Sequence, residues 1–168
     1  MRSIKLRWDL SSELSDTSKD MREHAWVIFE MLAKRGVITK KHSTKIIELL
    51  SMNIEPVSDT RSSDICSDAW DKIDMLVDYK IITSADSPKL LELLSSDNYI
   101  VRGLAWGRIE TLINMEIITK EDARDVKSKF IELLFSLDPI SRVDAWERVG
   151  TLIDAGVITK DDLEDVEI

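Results

Sequence analysis

Several residue types are scarce in this chain. Its 168 residues include one cysteine, five glycines, three prolines, two histidines and no glutamine. A single cysteine, Cys66, excludes an internal disulfide and a zinc site built on cysteines, and we expect it to be a small buried hydrophobe. The low glycine and proline content excludes a long flexible linker. We therefore expect one ordered domain over residues 1–168.

Long apolar segments are also missing. The sequence has no run of about 18 apolar residues, and its first residues, MRSIKLRWDLSSEL, lack the uninterrupted apolar stretch of a signal peptide. This predicts a cytoplasmic protein with no membrane partner. The absence of glutamine, together with abundant Ile, Glu, Asp and Lys, is typical of proteins from hot environments.

Positive charge is in short supply. The net charge is −9, and residues 138–168 contain three Lys or Arg against nine Asp or Glu. Residues 1–50 contain ten basic against seven acidic residues. Nucleic-acid binding needs clustered cations that neutralise phosphates, so we expect no nucleic-acid partner. An acidic surface instead favours a protein partner with a basic surface.

A repeat dominates what is present. Four Ala-Trp pairs occur, and a threonine follows each tryptophan at a distance of 13 residues. The tryptophans are Trp26, Trp70, Trp106 and Trp146, and the threonines are Thr39, Thr83, Thr119 and Thr159. Spacings of about 40 residues between tryptophans are typical of stacked pairs of helices. The sequence therefore predicts a helical repeat.

Each repeat has the pattern of a helical hairpin. Apolar residues follow each tryptophan at helical spacing, which predicts one amphipathic first helix. Gly36 and Gly156 suit the left-handed position just past that helix, and Lys80 and Glu116 occupy the same position in the other two repeats. The threonine that follows is predicted to be the N-cap of a second helix.

A second motif recurs in the predicted second helix. It reads KIIELL at 45–50, KLLELL at 89–94 and KFIELL at 129–134. In the third repeat this motif lies four residues further from its tryptophan than in the first two, which predicts one extra helical turn. The predicted division is a half-unit at 1–15, repeats at 16–54, 59–97 and 97–137, and a truncated repeat at 138–168. Since each hairpin cannot bury its apolar stripe alone, we expect the units to stack.

The motifs resemble those of HEAT-type helical repeat proteins. The resemblance is carried by Asp97, Val101, Arg102, Ala105 and Leu112, by Asp138, Pro139, Arg142, Ala145 and Leu152, and more thinly by Asp20, Arg22, Ala25 and Leu32. It implies an all-α, right-handed α-solenoid of about four hairpins, in which the Asp and Arg residues tie each hairpin to the next. The second repeat departs from the pattern, because Cys66 stands where arginine is expected.

No catalytic chemistry emerges from the sequence. Neither His24 nor His42 has a second histidine or a cysteine at ligand spacing, and no phosphate loop or nucleophile motif is present. We expect no catalytic, cofactor or metal site. Both histidines are predicted to be partly exposed helix-surface residues.

Two repeated features have both a structural and a functional interpretation. The tryptophan row is either packing between hairpins or a groove that anchors a peptide. Recurring Lys–Glu pairs are either a solubilising row of ion pairs or a surface that a partner recognises. These candidate partner-binding pairs are Lys45 and Glu48, Lys89 and Glu92, and Lys129 and Glu132.

The predicted function is a non-catalytic protein-interaction scaffold. The first alternative is a self-assembling structural protein that stacks end to end, and the second is a HEAT-like nucleic-acid-binding protein. End-to-end stacking would use apolar residues that we expect to be poorly covered at the two ends, so the protein is expected to be a monomer or a homo-oligomer joined through these ends. They are Ile4, Leu6, Trp8 and Leu10 at one end and Leu152, Ile153, Val157 and Ile158 at the other.

Overall fold

In the computed structural model the backbone of residues 9–52 and 60–164 is described, with side chains for all of these except 60–63. This described part is helical and contains no strand, which confirms the all-α class. The α-helices are α1 Leu10–Leu14, α2 Lys19–Lys34, α3 Ser43–Leu50, α4 Thr60–Asp71, α5 Ile73–Asp78, α6 Ser87–Leu94, α7 Tyr99–Trp106, α8 Ile109–Asn114, α9 Lys120–Asp125, α10 Lys127–Leu134, α11 Pro139–Glu147 and α12 Val149–Asp154. Short 3-10 turns cover Lys40–His42, Ser84–Asp86 and Lys160–Leu163.

The first helix of each unit is continuous only in unit 1, where it is α2. In units 2, 3 and 4 it is divided into α4 and α5, α7 and α8, and α11 and α12. Each division comes two residues after the tryptophan, at Lys72, Arg108 and Arg148. There the backbone N–H donates to the carbonyl three residues earlier, at 3.0–3.1 Å. The prediction of one continuous first helix was therefore wrong in these units, because a tight 3-10 turn interrupts it.

The helices contact their neighbours in chain order. The second helix of each unit packs on the first helix of the next, as α3 does on α4, α6 on α7 and α10 on α11. The first helices also pack on one another, α4 on α7 and α7 on α11. Helix α1 packs on α2 in the same way. Residues 10–14 belong to the predicted half-unit at 1–15, whose residues 1–8 lie outside the described part of the chain.

The turn after each first helix has one geometry. Lys80 and Glu116 have φ angles of 59° and 60°, beside 72° and 77° at Gly36 and Gly156, so the predicted left-handed position is confirmed in all four units. The next residue donates its N–H to the carbonyl five positions earlier, at 2.9 Å in every unit. This is the Schellman motif, which satisfies the free carbonyls at a helix end.

The repeat threonines begin the second helices. Each of the four forms a capping box with the residue three positions later, which is His42 in unit 1 and Asp86, Asp122 and Asp162 in the others. Threonine satisfies a free N–H of the new helix, and the later side chain satisfies the threonine's own N–H. In unit 3 the six-residue helix α9 replaces the short 3-10 turn, which confirms the predicted extra turn.

One buried core runs along the described units. It includes Leu152, Val157 and Ile158, each 1% exposed, and Ile153 is half-buried. The expectation that this end would be poorly covered was therefore wrong for three of its four residues. The Schellman turn is the reason, because it returns Val157 and Ile158 to Leu152, whose carbonyl accepts hydrogen bonds from both backbone N–H groups. Leu10 at the other end is half-buried, and Ile4, Leu6 and Trp8 lie outside the described residues.

The left-handed turns give a first prediction. Replacing Glu116 by glycine removes the strain of a Cβ at φ 60° and should raise the free energy of unfolding by about 1 kcal/mol. The matched control is Glu23→Gly, inside α2, which should lower the free energy of unfolding by about 1 kcal/mol. Urea denaturation measures both. A loss of stability in Glu116→Gly would contradict the strain argument.

Candidate interaction surface

The tryptophan row is a set of hydrogen-bonded joints between units. The indole N–H groups of Trp70, Trp106 and Trp146 donate to the backbone carbonyls of Leu50, Leu94 and Leu134. The N–O distances are 3.0, 2.8 and 2.9 Å. Each accepting leucine ends the second helix of the preceding unit. Because the last carbonyls of a helix have no partner within it, each indole caps the helix on which its ring packs.

The two outer tryptophans differ in instructive ways. Trp26 is 3% exposed, like Trp70 and Trp106 at 1%, but its indole N–H has no hydrogen-bond acceptor among the described residues. Trp146 is only half-buried, since no described helix packs on α11 from the far side. For the first three tryptophans, the geometry supports the interpretation as packing between hairpins and not the interpretation as an open aromatic groove.

Cys66 occupies the place that arginine holds in the other units. Its side chain is fully buried, and its Sγ donates to the carbonyl of Leu50 at 3.2 Å. The same carbonyl accepts the indole of Trp70. Burial raises the pKa of the Cys66 thiol to about 12, so the thiol stays protonated and unreactive.

Charged side chains join successive units, but mostly not through the residues that the resemblance implied. Arg22 binds Asp68 at 2.7 Å and Lys40 binds Asp86 at 2.9 Å, between units 1 and 2. Asp71 binds Arg108 at 2.6 Å between units 2 and 3, and Lys127 binds Asp162 at 3.0 Å between units 3 and 4. The Asp20, Asp97 and Asp138 carboxylates form none of these ties.

The carboxylates of Asp20, Asp97 and Asp138 lie elsewhere in the structure. Asp138 is the N-cap of α11 and accepts the N–H of Ser141 at 2.9 Å, and the Ser141 hydrogen bonds lower the pKa of Asp138. Asp97 lies 4.0 Å from Lys129, and Asp20 lies in the first turn of α2. Arg102 binds Glu132 of its own unit at 3.0 Å.

The repeated Lys–Glu pairs are exposed ion pairs on the second helices. The N–O distances are 3.7 Å for Lys45 and Glu48, 3.7 Å for Lys89 and Glu92, and 3.9 Å for Lys129 and Glu132. Exposed pairs of this kind contribute a few tenths of a kcal/mol. The third pair also holds Arg102, so only the first two are isolated surface pairs.

The histidines lie apart from each other. His24 is exposed on α2, whereas His42 is half-buried and its Nδ1 accepts the N–H of Thr39 at 3.1 Å. In the described part of the chain no three His, Cys, Asp or Glu side chains are grouped as metal ligands would be.

A groove of about 530 Å³ opens between α7 and α11. Gly103 of α7 and Gly107, the C-cap residue of that helix, line the groove together with the apolar Ile100, Leu104 and Ile140. A Cβ added to Gly103 would meet no atom within 4 Å, so the missing side chain leaves open space. Sequence reasoning missed this groove, although two glycines four residues apart, in a chain with only five, were a visible signal.

Both signs of charge border the groove. The Asp71–Arg108 ion pair lines the groove, as do Asp144 of α11 and Arg148, the C-cap residue of α11. The Arg148 guanidinium lies 3.2 Å from the position that a Cβ on Gly107 would take. A larger residue at 107 would therefore displace Arg148. The groove therefore combines apolar lining residues with charged residues of both signs.

None of the helices in the described residues is both long and apolar enough to cross a membrane. No protein-family model, no curated protein and no solved structure matches the chain significantly. The class that the fold defines is an all-helical protein with a repeated unit of helices, and its function is inferred from the residues themselves.

The indole hydrogen bond gives a second prediction. Trp26 and Trp106 are equally buried, and each packs on a phenylalanine ring, at 5.2 and 5.1 Å between ring centroids. Trp106→Phe should cost about 1–3 kcal/mol more than Trp26→Phe, because only the former leaves a helix-end carbonyl unsatisfied. Chemical denaturation of the two variants measures the difference. Equal losses of unfolding free energy in the two variants would show that the indole hydrogen bond adds nothing to the stability that the ring supplies.

Asp162 gives a prediction about pH. The Thr159 backbone N–H, and then Lys127, lower its pKa below the ordinary 3.8. The carboxylate therefore stabilises the fold above about pH 4, and this contribution is lost as pH falls through the folded-state pKa. Asp162→Asn should be less stable than the natural chain at pH 7, and the gap should close towards pH 2. Asp161→Asn, at the exposed neighbouring position, should differ less in stability from the natural chain at pH 7. Equal differences for the two variants would contradict the stabilising role of the Asp162 carboxylate.

Proposed function

We propose that this protein is a non-catalytic scaffold for protein–protein interaction, built as a right-handed α-solenoid of the HEAT type. The observation that carries the proposal is the groove between α7 and α11. It is lined by apolar and charged residues, and the missing side chain of Gly103 leaves open space in it. The repeated order of contacts between successive first helices supports the solenoid architecture.

The partner that fits best is a protein with a basic surface. The chain carries a net charge of −9, and the acidic Asp138 and Asp144 lie at the groove. Opposite charge accelerates association and helps to reject wrong partners. We place this binding in the cytoplasm, because free thiols such as that of the buried Cys66 stay reduced there.

End-to-end assembly and nucleic-acid binding have less support. The C-terminal apolar residues that would have driven assembly are largely buried within the chain. Of the basic residues in positions 1–50, Arg22 and Lys40 are already paired with Asp68 and Asp86. Phosphate binding through Arg22 or Lys40 would have to break these ion pairs.

Filling the groove tests the proposal. Gly103→Leu places a side chain in open space and, by raising helix propensity in α7, should leave the fold at least as stable. The natural chain, immobilised, should enrich a specific set of proteins from extracts of its source cells, and Gly103→Leu should lose most of that set. Quantitative mass spectrometry measures the enrichment.

The control is Gly150→Leu, an exposed position in α12 that also has open space and does not line the groove. It should retain the proteins that the natural chain captures. If Gly103→Leu captures the same set, binding does not use the groove. If the natural chain captures nothing beyond the empty support, the scaffold proposal itself is wrong.

A further inference from the structure

We propose that the groove between α7 and α11 binds an extended segment of a partner protein, in which an arginine and a large aliphatic residue lie two positions apart. The arginine pairs with Asp144, and the aliphatic side chain packs on the apolar residues that line the groove. The inference rests on the proposed scaffold function and deepens it, because it names the chemistry that the groove recognises.

Asp144 is the groove carboxylate that the described residues leave without a partner. Asp71 binds Arg108 at 2.6 Å, and Asp138 accepts the N–H of Ser141 as the N-cap of α11. Asp144 is exposed, and within the described part of the chain it has neither an ion pair nor a hydrogen bond. It is therefore available to a cation from outside the chain.

Comparison between units explains why Asp144 is free. Its counterpart in unit 2, also two positions before the tryptophan, is Asp68, which binds Arg22 of the preceding unit at 2.7 Å. The counterpart of Arg22 in unit 3 is Arg102, which binds Glu132 of its own unit at 3.0 Å. Asp144 thus stands at an arginine-binding position whose own arginine is engaged elsewhere.

The carboxylates of the first helices bind arginine in this chain. Asp68 and Asp71 each bind a guanidinium, whereas the lysines that join units bind capping-box carboxylates such as Asp86. A guanidinium is more weakly hydrated than an ammonium group and presents its N–H donors in a rigid plane, so it suits a carboxylate beside apolar side chains. We therefore expect arginine, and not lysine, at Asp144.

The apolar part of the groove begins one helical turn from this carboxylate. Ile140 precedes Asp144 by four residues on α11 and lines the groove together with Ile100 and Leu104 of α7. The missing side chain of Gly103 leaves open space in the same groove. A large aliphatic side chain of the partner would bury its surface there.

The dimensions favour an extended ligand. Four residues of an α-helix rise about 6 Å, which is the step from Ile140 to Asp144 along α11. Side chains two positions apart in an extended chain point to one side and lie about 6.6 Å apart. Two turns of an α-helix about 10 Å across occupy about 850 Å³, more than the groove volume of about 530 Å³. The expected pattern is therefore aliphatic-x-Arg or Arg-x-aliphatic.

The arginines of the groove make an acidic ligand less suitable. Arg108 is held by Asp71. The Arg148 guanidinium lies at the C-terminal end of α7, 3.2 Å from the position that a Cβ on Gly107 would take. The free carbonyls at a helix end favour a cation. An acidic ligand would have to draw Arg148 away from this end.

Selection from a displayed library of random peptides tests the proposal without knowledge of the partner. Phage are depleted on immobilised Gly103→Leu, whose added side chain fills the groove, and then selected on the natural full chain. We expect the selected peptides to share an arginine two positions from Leu, Ile, Val or Met. The frequency of this pattern is compared with that in the unselected library.

Titration of one selected peptide assigns the charge contact. Isothermal titration compares it with a copy in which citrulline, the neutral isostere, replaces arginine. On the natural chain the arginine peptide should bind about fivefold more tightly, as expected of a partly exposed ion pair. On Asp144→Asn the two peptides should bind equally. The matched control Asp154→Asn removes the same charge from an exposed site of the same unit outside the groove, and it should keep the preference.

Stability checks that Asp144 is free. Because no described residue binds its carboxylate, Asp144→Asn should unfold at the same urea concentration as the natural chain. A clear shift to lower urea would show that Asp144 has a partner within the chain, and the proposal would be overturned.

Other results would overturn it as well. They are a selection that enriches no pattern or a pattern without arginine, equal affinity for the arginine and citrulline peptides on the natural chain, and a preference that persists in Asp144→Asn. A homodimer that Gly103→Leu abolishes would assign the groove to a second copy of the chain. The scaffold function fails separately. If Gly103→Leu loses cellular proteins that the natural chain captures, the scaffold function stands even where the arginine pattern is absent.

Discussion

A hydrogen bond from an indole N–H to a helix-end carbonyl is the interaction on which this structure depends. It fixes the last turn of one unit against the middle of the next unit's first helix, at three successive junctions. Leucine or phenylalanine would fill the same space without reaching the carbonyl. Tryptophan combines a large apolar ring with a single donor, so one side chain supplies both burial and direction. This explains why tryptophan recurs at one position in a chain otherwise poor in aromatic residues.

Local signals in the sequence were sufficient for much of the fold. The spacing of apolar residues predicts the helices, and the threonine after each turn predicts the N-caps. Lys80 and Glu116 were placed in left-handed geometry because they align with glycines, and their φ angles are positive. Each of these features depends on a few neighbouring residues. That is why they could be predicted without knowledge of the three-dimensional arrangement.

Contacts between units were harder to predict. The resemblance to HEAT repeats pointed to Asp20, Asp97 and Asp138, whereas the carboxylates that join units are Asp68, Asp71, Asp86 and Asp162. Which carboxylate meets which cation depends on the offset between helices, and helical periodicity does not determine that offset. The carbonyl acceptor was also missed. Its signal was a leucine 12 residues before each of Trp106 and Trp146. These leucines are the last residues of the KLLELL and KFIELL motifs.

The candidate surfaces follow from departures from the repeat. Gly103 opens a groove where Val143 stands one unit later, and within the described residues Asp144 lacks an arginine like the one that its counterpart Asp68 binds. Sequence similarity between units therefore locates the framework, and the differences between units locate the candidate surfaces. A function assigned from the shared motif alone would overlook both.

The variety of ties between units has a consequence for folding fidelity. If all junctions were alike, any first helix could dock on any second helix, and the chain could skip a unit or exchange units with another molecule. Here Arg22 and Lys40 have partners in unit 2, Asp71 has one in unit 3, and Lys127 has one in unit 4. Placing unit 3 directly on unit 1 would leave Arg22 facing Leu104 in place of Asp68, whereas Lys40 would still meet a capping-box carboxylate, Asp122. The ion pair between Arg22 and Asp68 therefore favours unit 2 over unit 3 as the neighbour of unit 1, whereas ties to the recurring capping-box carboxylates stabilise any stacking order.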